Sequence, residues 1–346
     1  MESSQAQAET VLVTGGSGFL GSWCLVELLR RGYRVRTTVR SLARESEVRE
    51  VVGSQVDPGD RLSVFAADLT QDAGWDEAIR GCDYVLHVAS PFPPEQPKDP
   101  DELIVPAREG ALRVLRTSLD AVVKRIVMTS SNVAVVNGEP ADPFTEENWS
   151  DPNNPTLTPY GRSKTIAERA AWDFMKERGE TKRLTVICPS AIIGPALSKD
   201  RSYSLQSIER LLNGMPGVPK LGFGFVDVRD VAEIHVLAMR APDAAGERFI
   251  ATDRFLWMSE VGQILRDRLG PEAAKVPTRT VPNFVVRTMA RFDPQLRSVV
   301  GDLGRRRNVS SEKARTKLGW TPRPIEDSIV DTARSLLQVG AVAVPA

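Results

Sequence analysis

Short β-branched runs alternate with longer amphipathic segments through the first half of the chain. The runs that predict strands lie at 11–14, 33–40, 62–68, 83–90, 124–131 and 183–189. Apolar residues at helical spacing predict a helix directly after the first strand, and further helices over about 101–122 and 159–178. Strands that alternate with helices favour a parallel sheet covered on both faces, because each crossover lays its helix against one face. With right-handed crossovers, the expected fold is α/β, a doubly wound parallel sheet.

The pattern changes after Pro189. Glycine and proline become dense over 214–224, and short helices dominate from about residue 258. Between these regions, the segment 225–239 predicts one strand and one helix that return to the first domain. We therefore predict a Rossmann domain and a smaller mixed α/β substrate lobe, neither of them contiguous. Their boundaries are 8–189 plus 225–250 for the Rossmann domain, and 190–224 plus 251–340 for the lobe.

A glycine-rich turn joins the first predicted strand to the first helix within VLVTGGSGFLGS at 11–22. Its glycines are spaced G-x-x-G-x-x-G, which allows a tight turn, a close approach of the backbone to a pyrophosphate, and close packing of helix on strand. The helix N-terminus would stabilise the phosphate charge. A turn without a ligand is the alternative, and its place at the head of a βαβ unit disfavours that. The residues expected to bind the cofactor here are Gly15, Ser17, Gly18, Phe19, Leu20 and Gly21.

The end of the second predicted strand indicates which dinucleotide binds. An NAD site usually carries an acidic residue there, to hold the ribose hydroxyls. This chain has Arg40 at that place and no acid. A carboxylate would repel a 2′-phosphate, whereas a guanidinium can bind it in a forked contact. Arg44, one helical turn further on, can add a second charge. The sequence therefore predicts NADP, reduced as NADPH, as the cofactor, and an ordinary surface role for Arg40 is the alternative.

Two further stretches suit the same cofactor. Asp68 and Leu69 follow the third predicted strand, where an acid can accept a hydrogen bond from the adenine amino group. Val88, Ala89 and Ser90 end the fourth strand with small residues, which leave room for a dinucleotide to cross. Together they predict a cofactor along the carboxyl edge of the sheet, where ligands of such folds bind.

The stretch PYGRSK at 159–164 carries the candidate reacting group. Tyr160 and Lys164 stand at i and i+4, and hence on one helix face. A tyrosine has a reference pKa near 10, and we expect a neighbouring ammonium to lower that pKa. A hydroxyl is also needed where negative charge develops on a carbonyl oxygen. Ser130 and Ser131 can supply one, but adjacent strand residues face opposite ways, so only one can point into the cleft.

These motifs occur together in the order found in one enzyme family. VTGGSGFLGS, the arginine of TVR, HVAS, TSS, YGRSK and CPSAIIGP resemble the extended short-chain dehydrogenase/reductases. The branch that the chain resembles most is the dihydroflavonol-reductase-like group of NADPH-dependent aldehyde and ketone reductases, from about residue 10 to 339. The resemblance implies that Ser131 is the catalytic serine, with Tyr160 as the acid and Lys164 as its partner. It also implies that Pro189, Ala191 and Ile192 pass beside the nicotinamide.

We therefore expect an NADP-dependent oxidoreductase that reduces an aldehyde or ketone, including bulky or aromatic ones, and catalyses the reverse oxidation. Ser131 would stabilise the incipient alkoxide, and Tyr160 would deliver the proton with the support of Lys164. Substrate contacts are expected from Ser90, Phe92, Asn132 and Tyr160. A sugar-nucleotide epimerase with a retained NAD(P) is one alternative, which Arg40 disfavours. A non-catalytic NADPH sensor is another, which the intact Ser, Tyr and Lys set disfavours.

Composition and charge add little to this picture. Lys plus Arg and Asp plus Glu both number 45, so no excess charge favours nucleic acid or an anionic membrane. The N-terminus lacks the pattern of a signal peptide, and the three cysteines are widely separated. We expect a cytoplasmic protein, monomer or homodimer, with a small-molecule carbonyl or alcohol substrate as its partner. His87 and His235 are interpreted as structural, and no metal site is expected.

Overall fold

The computed structural model describes residues 8–91, 99–198, 202–292 and 300–342. In the first half, the strands are β1 (Thr10–Val13), β2 (Arg34–Val39), β3 (Leu62–Ala66), β4 (Tyr84–His87), β5 (Arg125–Thr129) and β6 (Leu184–Pro189). The helices between them are α1 (Phe19–Arg30), α2 (Glu45–Gly53), α3 (Trp75–Ile79), α4 (Asp101–Asp120) and α5 (Pro159–Glu177). All six predicted strands are therefore present, and the helices predicted over about 101–122 and 159–178 end within two residues of those bounds.

The second half consists of shorter elements. Its strands are β7 (Ala191–Ile193), β8 (Val218–Pro219), β9 (Gly222–Asp227), β10 (Arg248–Ala251), β11 (Arg254–Trp257) and β12 (Thr280–Val281). Its helices are α6 (Tyr203–Leu212), α7 (Val228–Arg240), α8 (Met258–Leu269), α9 (Asn283–Met289), α10 (Glu312–Leu318) and α11 (Ile325–Gln338).

The central sheet has seven strands in the order β10-β6-β5-β4-β1-β2-β3. Every pair in it is parallel. Val11 and Val13 pack into one core cluster with α1 and α7, while Leu12 packs into another with α4 and α5. Because both faces of β1 are covered, its sequence is continuously apolar rather than alternating. The predicted doubly wound Rossmann sheet is confirmed, and the order reverses between β1 and β4, where a crevice forms at the carboxyl ends.

A smaller sheet lies beyond β6. Its order is β11-β9-β7, with β9 antiparallel to β11 and parallel to β7. A third core cluster joins this sheet to α6, α8 and α11. The predicted mixed α/β lobe is confirmed as an architecture, while the division of the chain into two domains stays a prediction.

The expectation that the whole segment 225–239 returns to the first domain is wrong for its strand. β9 pairs within the smaller sheet, and only the helix α7 packs against α1 and the central strands. A Cβ on Gly222 would lie 2.2 Å from the Phe255 ring, so this glycine allows the aromatic side chain of β11 to cross β9. The central sheet is completed instead by β10, which pairs with β6.

Candidate active site

The glycine turn after β1 has a conformation that needs its glycines. Gly15 has φ of +74°, in the left-handed region that other residues rarely adopt. A Cβ on Gly21 would lie 2.2 Å from the carbonyl oxygen of Gly15. Thr38 of β2 holds the turn, because its hydroxyl oxygen accepts from the Gly15 N–H at 3.2 Å. The first turn of α1 therefore packs directly on the loop.

The N-terminus of α1 is suited to an anion. Its N-cap is Gly18, which has no side chain with which to cap the helix, and the first turn contains no acid. The amide groups of that turn and the helix dipole can thus bind a phosphate. Ser17 and Phe19 are half-buried beside this end, whereas Leu20 is buried in the core, so only the backbone of Leu20 can face a ligand. These residues fit a dinucleotide pyrophosphate.

Arg40 and Asp68 lie together at the neighbouring strand ends. Arg40 is exposed directly after β2, and its charge helps to lower the pKa of Asp68, after the larger effect of hydrogen bonds from Thr70. Asp68 Oδ1 accepts from the N–H and the hydroxyl of Thr70 at 2.8 and 2.7 Å. Arg44 forms an ion pair with Glu47 at 2.8 Å, which it would have to leave to bind a phosphate. Leu69 packs against Gly110 of α4.

The segment after β4 lies against the glycine turn. The Ala89 N–H donates to the Thr14 hydroxyl oxygen at 2.9 Å, and a Cβ on Gly15 would lie 3.0 Å from the Ala89 Cβ. Val88 and Ser90 on either side are half-buried. Thr14 is also within 3.0 Å of the buried His87 ring, so one threonine ties β1 to β4. These contacts of Thr14 were not predicted from the sequence. The signal for them is its position, directly after β1 and before the glycine turn.

Tyr160 and Lys164 lie on the first turns of α5. The Thr158 hydroxyl caps this helix by accepting from the Gly161 N–H at 3.1 Å, and Pro159 occupies its first position. The Lys164 Nζ is 6.0 Å from the centroid of the Tyr160 ring. Lys164 is buried, and its ammonium donates to the Thr129 carbonyl oxygen at 3.3 Å. The predicted helix face therefore brings both groups to the end of β5.

The ionisation of this pair differs from the sequence-based expectation. Burial raises the pKa of Tyr160, and a hydrogen bond with Ser131 only partly opposes that effect. Burial lowers the pKa of Lys164 to about 8. The expectation that the lysine lowers the tyrosine pKa is thus wrong, because removal from water has the largest effect on the pKa of both side chains. Tyr160 consequently holds its proton at neutral pH, the state that an acid needs.

The two serines after β5 face opposite ways. The Ser131 hydroxyl is hydrogen-bonded to Tyr160 and accepts from the Val133 N–H at 3.3 Å. The Ser130 hydroxyl instead donates to a carboxylate oxygen of Glu168 at 2.5 Å, within the protein interior. Ser131 is therefore the serine that lies with Tyr160 and Lys164.

The remaining predicted residues follow β6. Pro189 is buried at the end of that strand, and Ala191 and Ile192 are half-buried in β7. The Asn132 amide donates to the hydroxyl of Ser190 at 3.2 Å, which joins the turn after Ser131 to the β6–β7 connection. Phe92 lies outside the described residues, so its predicted substrate contact stays a prediction.

Both histidines are buried and bonded to threonines. The Thr129 hydroxyl lies 2.7 Å from His235 Nε2, and burial lowers the pKa of His235 to about 4 and that of His87 to about 3. Across residues 8–91, 99–198, 202–292 and 300–342, no group of three or more His, Cys, Asp or Glu side chains could hold a metal ion. Within the same ranges, no helix combines the length and the apolar character needed to cross a bilayer.

Comparison with known proteins relates the chain to one family. The sequence model described as the NAD dependent epimerase/dehydratase family matches residues 11–251. A cinnamoyl-CoA reductase of Medicago truncatula is 36% identical over 347 residues, with 96% of this chain and 97% of that protein covered. A dihydroflavonol 4-reductase of Gerbera hybrida is 35% identical over 274 residues, with 75% and 72% covered.

Among solved structures, the chain is similar to the yeast methylglyoxal/isovaleraldehyde reductase Gre2 complexed with NADPH. The two have a TM-score of 0.80 and 26% identity, and the match covers 96% of this chain and 99% of that one. The resemblance inferred from the motifs, to the dihydroflavonol-reductase-like branch, is confirmed by these relatives.

Proposed function

This chain belongs to the NAD dependent epimerase/dehydratase family, and from that premise we propose that it is an NADPH-dependent reductase of aldehydes or ketones. One observation carries the proposal. Ser131, Tyr160 and Lys164 lie together where the carboxyl end of β5 meets the first turns of α5. These groups lie at the same sheet edge as the glycine turn. The names of the relatives support the class of reaction, because they are reductases of carbonyl compounds.

The cofactor is NADPH. The uncapped N-terminus of α1 and the glycine turn fit its pyrophosphate, and Arg40 fits its 2′-phosphate. Asp68, Val88, Ala89 and Ser90 lie along the expected path of the dinucleotide, and Pro189, Ala191 and Ile192 beside the expected position of its nicotinamide. When bound, NADPH supplies the hydride that reduces the carbonyl carbon.

The side chains of this chain supply the other requirements. The Ser131 hydroxyl donates to the carbonyl oxygen of the substrate and stabilises the charge that develops there. Tyr160, which holds its proton because burial raises its pKa, transfers that proton to the same oxygen. The Lys164 ammonium stabilises the phenolate that remains, and it can also hold the ribose of the cofactor. In the reverse direction, Tyr160 accepts the proton of the alcohol.

The substrate is a small-molecule carbonyl compound that contacts Ser90, Asn132 and Tyr160. We place the enzyme in the cytoplasm, since Cys24, Cys82 and Cys188 are all buried free thiols. A monomer or a homodimer is proposed as its assembly.

A panel of substrates tests this proposal. The absorbance of the reduced nicotinamide is followed with NADPH and then NADH against aldehydes, ketones, diketones and a dihydroflavonol. Loss of absorbance with NADPH and the appearance of the alcohol are expected for at least one carbonyl compound. Tyr160→Phe should bind NADPH with unchanged affinity and lose turnover by about 10²-fold or more, because the proton donor is missing. Full activity of Tyr160→Phe would overturn the mechanism.

Rival functions give different results in the same experiment. An epimerase would purify with a bound NAD and would interconvert sugar nucleotides without net loss of NADPH. A sensor would bind NADPH and leave every member of the panel unchanged.

A further inference from the structure

A buried ionic cluster lies directly behind the catalytic groups. Glu168 is fully buried on α5, one turn beyond Lys164 and two turns beyond Tyr160. Its carboxylate accepts from Arg248 Nε at 2.5 Å and from the Ser130 hydroxyl at 2.5 Å. Tyr160, Lys164 and Glu168 thus occupy one face of the helix.

Arg248 contacts Glu168 from β10, one of the two edge strands of the central sheet. Its Nη2 donates to the second oxygen of Glu168 at 3.3 Å, and its Nη1 donates to the carbonyl of Glu146 at 2.7 Å. The guanidinium also lies 3.6 Å from the centroid of the Trp149 ring. Arg248 is therefore fixed by several contacts and holds the carboxylate of Glu168 in one orientation.

Stability alone does not explain why the protein buries the ion pair of Glu168 and Arg248. Buried ion pairs can often be replaced by apolar side chains of similar volume without loss of stability. The position of the pair, directly behind Tyr160 and Lys164, explains it better. Ser130, which donates to Glu168, is the neighbour of Ser131. Cys188 and Glu168 both favour the ammonium of Lys164 against the effect of burial, and Glu168 lies on the same helix and is paired with Arg248.

We propose that Glu168 and Arg248 form a positioning pair for the reaction. By holding Ser130, Glu168 turns Ser131 toward Tyr160, and by its negative charge it supports the Lys164 ammonium. Arg248 keeps the carboxylate of Glu168 in place for both tasks. The inference rests on the proposed reductase function, but its effect on Lys164 is measurable without turnover.

Several groups from the surrounding elements face the Lys164 ammonium. They are Tyr160 and Glu168 on its own helix, His87 on β4, the Thr129 carbonyl on β5, Cys188 on β6 and, behind Glu168, Arg248 on β10. Burial keeps His87 neutral by lowering its pKa to about 3. Burial also raises the pKa values of Tyr160 and Cys188, so both are neutral near pH 7. Among these described groups, Glu168 provides the negative charge.

The test changes that charge and titrates Lys164 directly. In protein carrying ¹³Cε-lysine, the Lys164 resonance is assigned by its loss in Lys164→Met and followed against pH without cofactor. The pKa of Lys164, about 8 in the native protein, should fall by about one unit in Glu168→Gln. The basic limb of kcat for carbonyl reduction should move to lower pH by the same amount, because the enzyme requires the ammonium form.

Control variants separate this effect from general damage. Asp230→Asn removes another buried carboxylate, which lies in the first turn of α7 and pairs with Arg323, and it should leave the Lys164 titration unchanged. Glu168→Asp keeps the charge and should keep the pKa of Lys164 while lowering kcat. If Glu168→Gln does not fold, Glu168→Gln/Arg248→Met removes both charges together and should still lower the pKa of Lys164.

The outcomes distinguish the two proposals. A folded Glu168→Gln protein, or the double variant in its place, with an unchanged Lys164 titration would overturn the positioning role. If the pKa of Lys164 falls in a protein that reduces no carbonyl compound, the effect of the Glu168 charge on Lys164 is supported and the proposed reductase function is overturned.

Discussion

The two adjacent serines at the end of β5 have different partners, so one residue step separates the proposed catalytic serine, Ser131, from Ser130, which binds Glu168. Ser131→Ala should lower kcat by about 10²–10³-fold, as the loss of a donor to a developing oxyanion does, with NADPH affinity unchanged. Ser130→Ala is the matched control. It should lower kcat much less than Ser131→Ala does, because it loosens the positioning of Ser131 but keeps the Ser131 hydroxyl. It should also lower the free energy of unfolding by about 1–3 kcal/mol, because it removes a buried donor to Glu168. Steady-state kinetics and denaturant unfolding measure both effects. If kcat falls further in Ser130→Ala than in Ser131→Ala, Ser130 and not Ser131 is the serine that binds the carbonyl oxygen.

Cofactor choice is also decided at single residues. Arg40→Asp places a carboxylate where a 2′-phosphate is expected and should shift the ratio of kcat/KM from NADPH toward NADH by about 10–100-fold. Arg44→Gln should have a smaller effect, because Arg44 already pairs with Glu47. Kinetics with both cofactors provide the measurement. If the Arg40→Asp enzyme keeps the native preference for NADPH over NADH, Arg40 does not bind the 2′-phosphate.

The sequence predicted the placement of Tyr160 and Lys164 better than their ionisation. Tyr160 and Lys164 follow from helical spacing, because positions four apart share a face whatever surrounds them. The choice between Ser130 and Ser131 needed either the family resemblance or the structure, because alternation along a strand does not say which face is the cleft. The raised pKa of Tyr160 depends on how deeply the tertiary structure buries it, which spacing does not reveal. Glu168, four residues after Lys164, lies on the same helix face by the same spacing, but only the structure shows that it is buried with Arg248.

At the scale of elements, the packing of α1 on the glycine turn gives a stability test. Gly21→Ala would place a Cβ 2.2 Å from the Gly15 carbonyl oxygen, so the helix must move away from the turn. We expect NADPH affinity to fall at least about tenfold and the free energy of unfolding to fall by about 1–3 kcal/mol. Gly53→Ala is the control, since that glycine, at the end of α2, has open space around it. Fluorescence titration and denaturant unfolding would show both effects. Native affinity in Gly21→Ala would contradict the close packing.

Element prediction succeeded where the strands are buried on both faces. β1, β4, β5 and β6 read as short apolar runs because no face of them meets water. The assignment of β9 to its sheet could not be predicted, since its sequence also suits a central strand. What directs it elsewhere is a pairing with β7 and β11, between residues far apart along the chain.

At the scale of the whole molecule, cofactor binding should stabilise the fold. A ligand that binds only the folded state at 100 times its Kd stabilises the protein by about 2.7 kcal/mol. NADPH should therefore raise the midpoint of thermal unfolding, and NADH at the same concentration should raise it less. Differential scanning calorimetry measures this difference, with 2′-phosphate-free ADP-ribose as a further control. Equal stabilisation by both cofactors would contradict the preference assigned to Arg40.

The architecture explains why the site depends on the whole chain. The glycine turn, the reacting helix and the cluster of Glu168 come from β1, α5 and β10, which are separated by most of the sequence. The indole of Trp23 on α1 also donates to the Pro195 carbonyl, so the cofactor helix contacts the segment that follows β7. Truncation before β10 would remove Arg248 and leave Glu168 as an unpaired buried charge.

The most direct test of the central claim follows the hydride itself. The preferred carbonyl compound is incubated with NADPH that carries deuterium on the transferred position of the nicotinamide, and the product is examined by mass spectrometry. An alcohol with one deuterium on its carbinol carbon is expected from the native protein, and at most about one hundredth as much in the same time from Tyr160→Phe. An unlabelled product, or labelled alcohol formed equally well without Tyr160, would contradict the proposed mechanism.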